Sequence, residues 1–177
     1  MTRVSMSNTN KCHWFLLTSK SREEQRAVDN LTNQGLEVFL PKIAKVTKRK
    51  GVKSVSLQPL FPGYLFIHLD QNEANFNAIR STRGVGSFVR FGVNLATLSE
   101  KLIQQIRQNI EGSVNKSLND LLTYQQGEKV KVTQGPFKGL EAIYKAKDGL
   151  ERSVLFIKML GQENEVVAGN HIFDRED

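Results

Sequence analysis

The chain has 177 residues, of which 39% are hydrophobic and 24% charged, a composition typical of a folded chain with one ordinary domain or two small ones. Its only cysteine is Cys12, which excludes an intramolecular disulfide and favours a reducing cytoplasm, so a cytoplasmic protein is expected. We expect no secretory signal in the polar stretch Met1–Lys11, and apolar runs such as Tyr64–Ile67 are too short to cross a membrane.

Positive charge is concentrated in the first two thirds of the chain. Residues 1–113 contain 16 Lys/Arg against 8 Asp/Glu, a balance of +8, whereas residues 114–177 contain 9 against 10, a balance of −1. A basic surface favours a polyanionic partner such as nucleic acid. A surface that only keeps the chain soluble is the alternative, and composition does not separate the two.

The predicted elements begin with a buried, apolar strand at His13–Ser19. Ser21 is the expected cap of a following helix that Gly35 ends, and Glu37–Leu40 returns as a strand. The later predicted elements are a hairpin over 42–55 with its turn at Lys50-Gly51, a strand at 64–69, a short helix at 72–79, a strand at 87–91 and a helix at 99–110 capped by Ser99. This order predicts an α+β sandwich with helices against a mainly antiparallel sheet.

A domain boundary is predicted at residues 112–124, where the charge balance changes and Gly, Ser and Asn are mixed with lysine. About 50 residues follow, which is small for an independent core unless they form a tight barrel or dock on the first domain. Residues 127–144 read GEKVKVTQGPFKGLEAIY, which fits a hairpin of a small β-barrel.

Groups that could perform catalysis do not converge anywhere in the sequence. His13, His68 and His171 are far apart and form no cluster with zinc-ligand spacing. Cys12 has no local partner, and the glycines at 84, 86 and 92 are not followed by the Lys-Ser/Thr of a phosphate-binding loop. We therefore predict no enzyme activity, no metal ion and no cofactor.

Residues 58–67, QPLFPGYLFI, predict a stiff entry into an aromatic strand. Alternation places Tyr64 and Phe66 on one face and Leu65 and Ile67 on the other. One face is then core and the other an exposed apolar binding patch, or else both faces are covered by helices.

Residues 80–92, RSTRGVGSFVRFG, combine arginines, hydroxyls and close glycines. Such residues donate to phosphates and base edges, and glycine lets the backbone approach closely. Lys20 and Arg26 extend the same basic surface, and a merely solvated arginine-rich loop is the alternative. A second basic cluster without acidic residues, either a solvated tip or a phosphate contact, comprises Lys42, Lys45, Lys48, Arg49, Lys50 and Lys53.

In this order and spacing, the strings WFLLTSK, LFPGYLFI and STRGVGSFVRFG, followed by a KOW-like segment at 127–144, resemble the NusG superfamily of transcription factors. The resemblance covers about residues 13–175 and is greatest to the specialised RfaH branch. It implies an N-terminal extension at 1–12, a NusG-type N-terminal sandwich at 13–111, a linker at 112–124 and a KOW-type domain at 125–177.

The resemblance also implies two binding surfaces and a monomeric protein. One is an apolar face that docks on the clamp helices of the RNA polymerase β′ subunit, and the matching positions are Phe61, Tyr64, Phe66, Phe88, Phe91, Ile103 and Ile106. The other reads a short element, ops, in single-stranded non-template DNA, and the positions are Lys20, Arg26, Gln34, Arg80, Ser81, Thr82, Arg83 and Val85. Asn30 and Asn33 replace an expected histidine and arginine, and Asn75-Phe76-Asn77-Ala78 replaces a run that touches the β-subunit gate loop.

For the C-terminal domain the resemblance implies two folds. An α-helical hairpin hides the polymerase-binding face, and after release it refolds into a five-stranded KOW β-barrel that recruits a small-subunit ribosomal protein. The expected interdomain residues are Gln58, Arg152, Tyr144, Phe156 and Leu160. Gln58 stands where a carboxylate is expected to pair with Arg152, so only a hydrogen bond is available. Residues 150–160 suit a helix, with Leu150, Val154, Ile157 and Leu160 on one stripe, and also suit a strand.

Overall fold

The computed structural model describes residues 12–122 and 148–170, with side chains over 12–112 and 148–161. The strands in these ranges are β1 (Cys12–Ser19), β2 (Glu37–Phe39), β3 (Lys42–Arg49), β4 (Val52–Pro59), β5 (Tyr64–Asp70), β6 (Val85–Phe88), β7 (Arg90–Phe91), β8 (Asn94–Leu95) and β9 (Thr97–Leu98). The helices in these ranges are α1 (Glu24–Thr32), α2 (Phe76–Ser81), α3 (Glu100–Leu122) and α4 (Gly149–Asn170).

A five-stranded antiparallel sheet lies at the centre of the fold. Its order is β2-β5-β1-β6, with β9 also paired to β1, while β3–β4 and β7–β8 form separate two-stranded ladders. Helices pack against the sheet, as the order of predicted elements requires. The α+β architecture expected for the N-terminal part is confirmed.

The start of α1 differs from the prediction. Ser21 is not its cap, because the helix begins at Glu24 after Glu23, whose side chain makes no capping hydrogen bond. The residues before it form a tight turn in which Arg22 has φ 60. Gly35, with φ 80, lies in the turn beyond the helix end, as expected.

The hairpin turn at Lys50-Gly51 is confirmed, and both residues have positive φ, 50 and 80. That geometry matches the twist of two paired strands. The hairpin is longer than predicted, since β4 runs to Pro59 and pairs it with Lys42.

The predicted cap of α3 is confirmed, because the backbone N–H of Leu102 donates to Ser99 Oγ at 3.2 Å. The predicted end at Ile110 is wrong, since the helix continues to Leu122. Gly112 does not end it, because its backbone does not adopt positive φ. The segment 112–124 is therefore helical as far as Leu122, and its role as a domain boundary stays a prediction.

The alternation along β5 separates two hydrophobic cores, as predicted. Leu65 and Ile67 lie in one core with α1 and α2, whereas Phe66 lies in the other with α3 and α4, and Tyr64 packs against it. Of the two alternatives for this sheet, the structure shows the one in which helices cover both faces.

Residues Gly149–Asn170 are helical in this structure, which matches the α-helical alternative for this part of the chain. Half of the predicted stripe faces the protein, since Leu160 is buried and Ile157 packs beside it, whereas Leu150 is 75% exposed and Val154 47%. The other buried positions are Arg152, Ser153 and Phe156. Tyr144 and the KOW-like segment 127–144 lie outside the described residues.

Candidate binding surfaces

An apolar surface lies where β5, the loop before it and α3 meet, and we call it the apolar face. Its members are six of the residues predicted from the resemblance, which the structure brings into one cluster: Phe61, Tyr64, Phe66, Phe91, Ile103 and Ile106. Phe88 does not join them. It packs in the opposite core against Phe15 and Phe76, with ring centroids 6.3 and 5.1 Å away.

Helix α4 covers the apolar face. The ring of Phe156 is stacked on Phe61 with centroids 4.1 Å apart and an interplanar angle of 18°, and its centroid lies 5.7 Å from that of Phe66. Phe156 and Leu160 are completely buried. This contact removes aromatic rings of both parts from water, which is the principal gain of docking.

Gly149 lets α4 approach the apolar face closely. A Cβ there would collide with the ring of Pro62, whereas a Cβ at Gly161 would lie 3.4 Å from the ring of Phe91, an ordinary contact distance. The start of the helix therefore requires a glycine at this surface.

Two polar contacts fix the position of α4 along the face. Arg152 Nε donates to the backbone carbonyl of Leu60 at 2.8 Å, and Ser153 Oγ donates to that of Pro62 at 3.3 Å. These carbonyls belong to the Leu60–Gly63 loop ahead of β5. The helix is therefore held by hydrogen bonds to this loop as well as by its packing on the apolar face.

Arg152 is 8% exposed. Burial lowers its pKa, with an opposing effect from the charge of Asp148. Its side chain does not hydrogen-bond to Gln58, and among the described residues no carboxylate lies within ion-pair distance of it. The contact expected between Gln58 and Arg152 is therefore replaced by one to the Leu60 carbonyl. Docking buries a cation without neutralising it, which is unfavourable in itself.

Asp148 starts α4, although the sequence interpretation did not single it out. Its Oδ1 accepts from the backbone N–H of Glu151 at 2.8 Å, and its carbonyl accepts from the N–H of Arg152. An aspartate followed three residues later by glutamate is a common helix-start pattern, so the signal was present in the sequence.

A polar surface lies at the C-terminal end of α1 and the loop after α2, and we call it the DNA patch: Lys20, Asn30, Gln34, Ser81 and Arg83, with Thr82, which is only 8% exposed, as its buried member. Gln34 Nε2 donates to Thr82 Oγ1 at 2.9 Å, and Asn30 Nδ2 donates to the carbonyl of Arg83 at 3.0 Å. The backbone N–H of Lys20 donates to the carbonyl of Gly84 at 2.9 Å. Three chain segments are thus fixed together, with Lys20, Ser81 and Arg83 exposed.

The glycines of this loop have a different role from the one predicted. Gly84 has φ 94, and a Cβ there would lie 2.7 Å from the backbone nitrogen of Ala27. A Cβ at Gly86 would lie 2.5 Å from Thr18 Oγ1. The close approaches are therefore to α1 and β1. They fix the position of the loop that carries Arg83.

The other predicted DNA contacts are less closely grouped. Val85 is 2% exposed, so its side chain is core. Arg26 forms a 3.1 Å ion pair with Glu23. Arg80 lines a separate cleft of about 220 Å³, together with Arg90, Gln71, Ser87, Phe76, Phe88 and Leu95.

The described residues contain no group of three His, Cys, Asp or Glu side chains placed to hold a metal ion. Within the same ranges, no helix is both long and apolar enough to span a membrane.

Comparisons with known proteins identify one family that this chain resembles. A family described as "Transcription termination factor nusG" matches residues 12–107. The "Transcription termination/antitermination protein NusG" of Thermus thermophilus is 30% identical over 142 residues, 70% of this chain and 76% of that protein. The protein of the same name from Rickettsia conorii is 28% identical over 165 residues, 85% of each chain.

A solved structure described as "Domain interaction in Thermotoga maritima NusG" is 23% identical, with a TM-score of 0.38, over 70% of this chain and 67% of that one.

Proposed function

We propose, from the fact that this chain belongs to the NusG family of transcription termination/antitermination factors, that it is an RfaH-like specialised elongation factor. It binds RNA polymerase through the apolar face and an ops-like element of the non-template strand through the DNA patch. It suppresses pausing and termination by holding the polymerase clamp closed, and it performs no bond chemistry.

The observation that carries the proposal is the position of α4 on the apolar face. Phe61 and Phe66, two of the residues expected to dock on the β′ clamp helices, contact Phe156, and all three side chains are buried. A surface that must be uncovered before it binds suits a factor recruited only at particular sites. Release of α4 at the DNA element then exposes the face, and the freed C-terminal domain recruits a small-subunit ribosomal protein as a β-barrel.

The DNA patch supports recognition of a splayed single strand. Lys20 and Arg83 supply positive charge, and Ser81 supplies an exposed hydroxyl. Asn30 and Gln34 are engaged in internal hydrogen bonds to Arg83 and Thr82, so the patch is organised before DNA arrives. Preorganised donors bind at lower entropic cost.

We expect this chain to make a smaller contact with the β-subunit gate loop than the family resemblance implies. In the segment 75–78, the side chain of Asn75 caps α2 by accepting from the N–H of Ala78 at 3.0 Å. Phe76 packs against Phe15 and Phe88. Only Asn77 and Ala78 then remain to meet the gate loop, so the clamp helices provide most of the binding.

The test is transcription past a terminator on templates with and without ops. We expect readthrough to rise only on the ops template, and Arg83→Ala to abolish that rise while leaving the far-UV spectrum unchanged. The matched control is Arg90→Ala, an exposed arginine outside the patch. No readthrough on either template would contradict the proposed function.

A general factor that binds polymerase without DNA preference is the second candidate, favoured by the Rickettsia conorii and Thermus thermophilus relatives, both of which are described as NusG. Gel shifts of stalled elongation complexes separate the two. Equal binding with and without ops would favour the general factor, whereas binding only with ops supports the specialised one.

A further inference from the structure

We call residues 42–59, the β3–β4 hairpin, the basic arm: its base packs through Ile43 against the core that contains α3 and α4, and the rest extends into solvent. Every residue from Lys45 to Leu57 is exposed, on both faces of the ladder. The arm includes Val46, Val52 and Leu57, which are 42%, 69% and 60% exposed. A two-stranded hairpin with no core of its own is only marginally stable in water, so a binding partner is expected to order it further.

The charge of the arm is entirely positive. It contains no aspartate or glutamate, and its cations are Lys42, Lys45, Lys48, Arg49, Lys50 and Lys53. A polyanion is the partner that such a charge density favours.

The composition of the arm also narrows the type of polyanion. It contains no aromatic residue, and single-stranded nucleic acid is normally held by aromatic rings on which the bases stack. Protein interfaces are likewise enriched in aromatic residues and depleted of lysine, the opposite of this composition. Both features disfavour a single strand or a protein as the occupant.

The register divides the arm into two chemically different faces. Lys45, Thr47 and Arg49 lie on one face, opposite Ser56, Ser54 and Val52 of the facing strand. Thr47 and Ser54 join their hydroxyls at 2.8 Å. The other face carries the paired valines Val46 and Val55, with Lys48 towards the tip. Hydroxyls and cations are the groups that contact phosphates, and they position a protein on nucleic acid without reading its sequence.

The dimensions fit one form of nucleic acid. Two eight-residue strands give a ribbon about 26 Å long. The major groove of B-form DNA, about 12 Å wide, admits a two-stranded ribbon, whereas that of duplex RNA is too deep and narrow for side chains to read. We propose that the basic arm binds duplex DNA in its major groove, through phosphates and without sequence specificity.

The position of the arm connects this site to the DNA patch. Lys42 Nζ donates to Gln25 Oε1, which ties the base of the arm to α1. The same helix carries Asn30 and leads to Gln34 in the DNA patch. The inference rests on the proposed function in this respect: the arm holds the duplex that adjoins the exposed strand, so the two surfaces follow one DNA molecule.

The test is fluorescence anisotropy with a labelled 20-base-pair duplex of unrelated sequence, titrated with the full chain at several salt concentrations. The first variant is Lys45→Gln with Arg49→Gln. The second is Lys48→Gln with Lys50→Asn, where asparagine suits the positive φ of the turn. Each phosphate contact contributes about 0.9 to the slope of log affinity against log salt, so each double variant is expected to lower the slope by about 2.

The control is Lys101→Gln with Lys158→Gln, which removes the same charge from exposed positions on α3 and α4. We expect it to change the slope by less than about half as much. An unchanged slope in both arm variants would overturn the inference, as would equal binding of a duplex RNA. Loss of single-strand binding in the arm variants, with duplex binding intact, would also overturn it.

Failure here is distinguishable from failure of the proposed function. If the arm variants bind duplex normally while wild type still raises readthrough at ops, only the arm assignment is wrong. If duplex binding depends on the arm but readthrough never responds to ops, only the proposed function is wrong.

Discussion

Strand β5 has two faces that different parts of the chain cover. Leu65 and Ile67 meet α1 and α2, which precede or follow β5 within 45 residues, and the nearby Gly84 lies close against Ala27 of α1. Phe66 meets α4, which begins at Gly149, far along the chain. Helices α1 and α2 are therefore part of the fold around β5, whereas α4 is a helix from a distant part of the chain that packs onto it.

The contacts of α4 with the sheet are also expected to be weaker than those of α1 and α2. The α1–α2 side consists of apolar packing with close backbone approaches. The α4 side also has apolar packing, centred on Phe156, but it includes the buried Arg152 without a facing carboxylate. We infer that α4 can dissociate from the sheet while α1 and α2 remain packed against it.

The largest effect is expected from truncating one large side chain in each core. Leu65→Ala should lower the free energy of unfolding of the whole sheet by about 2–5 kcal/mol, because a buried leucine leaves a cavity. Phe156→Ala removes a similar amount, about 3–5 kcal/mol, from the docking of α4 alone. Hydrogen exchange should show fast amides in α4 and protected amides in β5 for Phe156→Ala only. Equal loss of protection in β5 for both variants would make α4 an integral part of the core.

Gly84→Ala is expected to cost about 2 kcal/mol, measured by urea unfolding, because Gly84 has φ 94 and no room for a Cβ beside Ala27. Gly92→Ala is the matched control, since its φ is 62 but nothing lies within 4 Å. It should cost only about 1 kcal/mol, the backbone term alone. Equal costs would mean that the close approach to α1 is not tight.

Gln58→Glu is expected to strengthen α4 docking by about 1 kcal/mol by placing a carboxylate near the buried Arg152. The measurement is slower exchange of the α4 amides, with Gln108→Glu on the exposed side of α3 as the control. No difference between the two variants would show that position 58 does not reach the guanidinium.

The smallest effect concerns the start of α3. Trp14 Nε1 donates to Glu100 Oε2 at 2.6 Å, and the hydrogen bonds from Gln104 and Trp14 lower the pKa of Glu100 below its usual 4.5. A lowered carboxyl pKa stabilises the fold above the unfolded value near 4.5, and that stability is lost as pH falls through the folded pKa. Fluorescence of Trp14, the only tryptophan, should change below pH 4.5 in wild type and not in Glu100→Gln. An unchanged pH response in that variant would remove Glu100 from the account.

The sequence predicted the features that depend on local rules. Alternation placed Phe66 and Leu65 on opposite faces of β5, and Lys50-Gly51 marked the hairpin turn, because strand period and turn geometry are set by neighbours in the chain. The capping serine of α3 was found for the same reason.

Two local predictions failed, the helix cap at Ser21 and the helix end at Ile110, and the other errors concern packing between distant parts of the chain. Phe88 was grouped with Phe91, although residues three apart cannot share a face of one strand, and the chain in fact breaks at Val89 between β6 and β7. Half of the stripe on α4 was misassigned because Leu150 and Val154 are as apolar as the residues that are buried. The buried side is selected by contacts with distant residues, such as Phe156 on Phe61 and Arg152 on the Leu60 carbonyl, and helical periodicity does not reveal these contacts.

The central claim is that α4 controls access to the apolar face. Its most direct test is the affinity of the full chain and of Phe156→Ala for elongation complexes that lack ops. The account predicts that the variant binds at least about tenfold more tightly, because each 1.4 kcal/mol removed from docking raises the open population tenfold. Equal or weaker binding by a folded Phe156→Ala protein would contradict it.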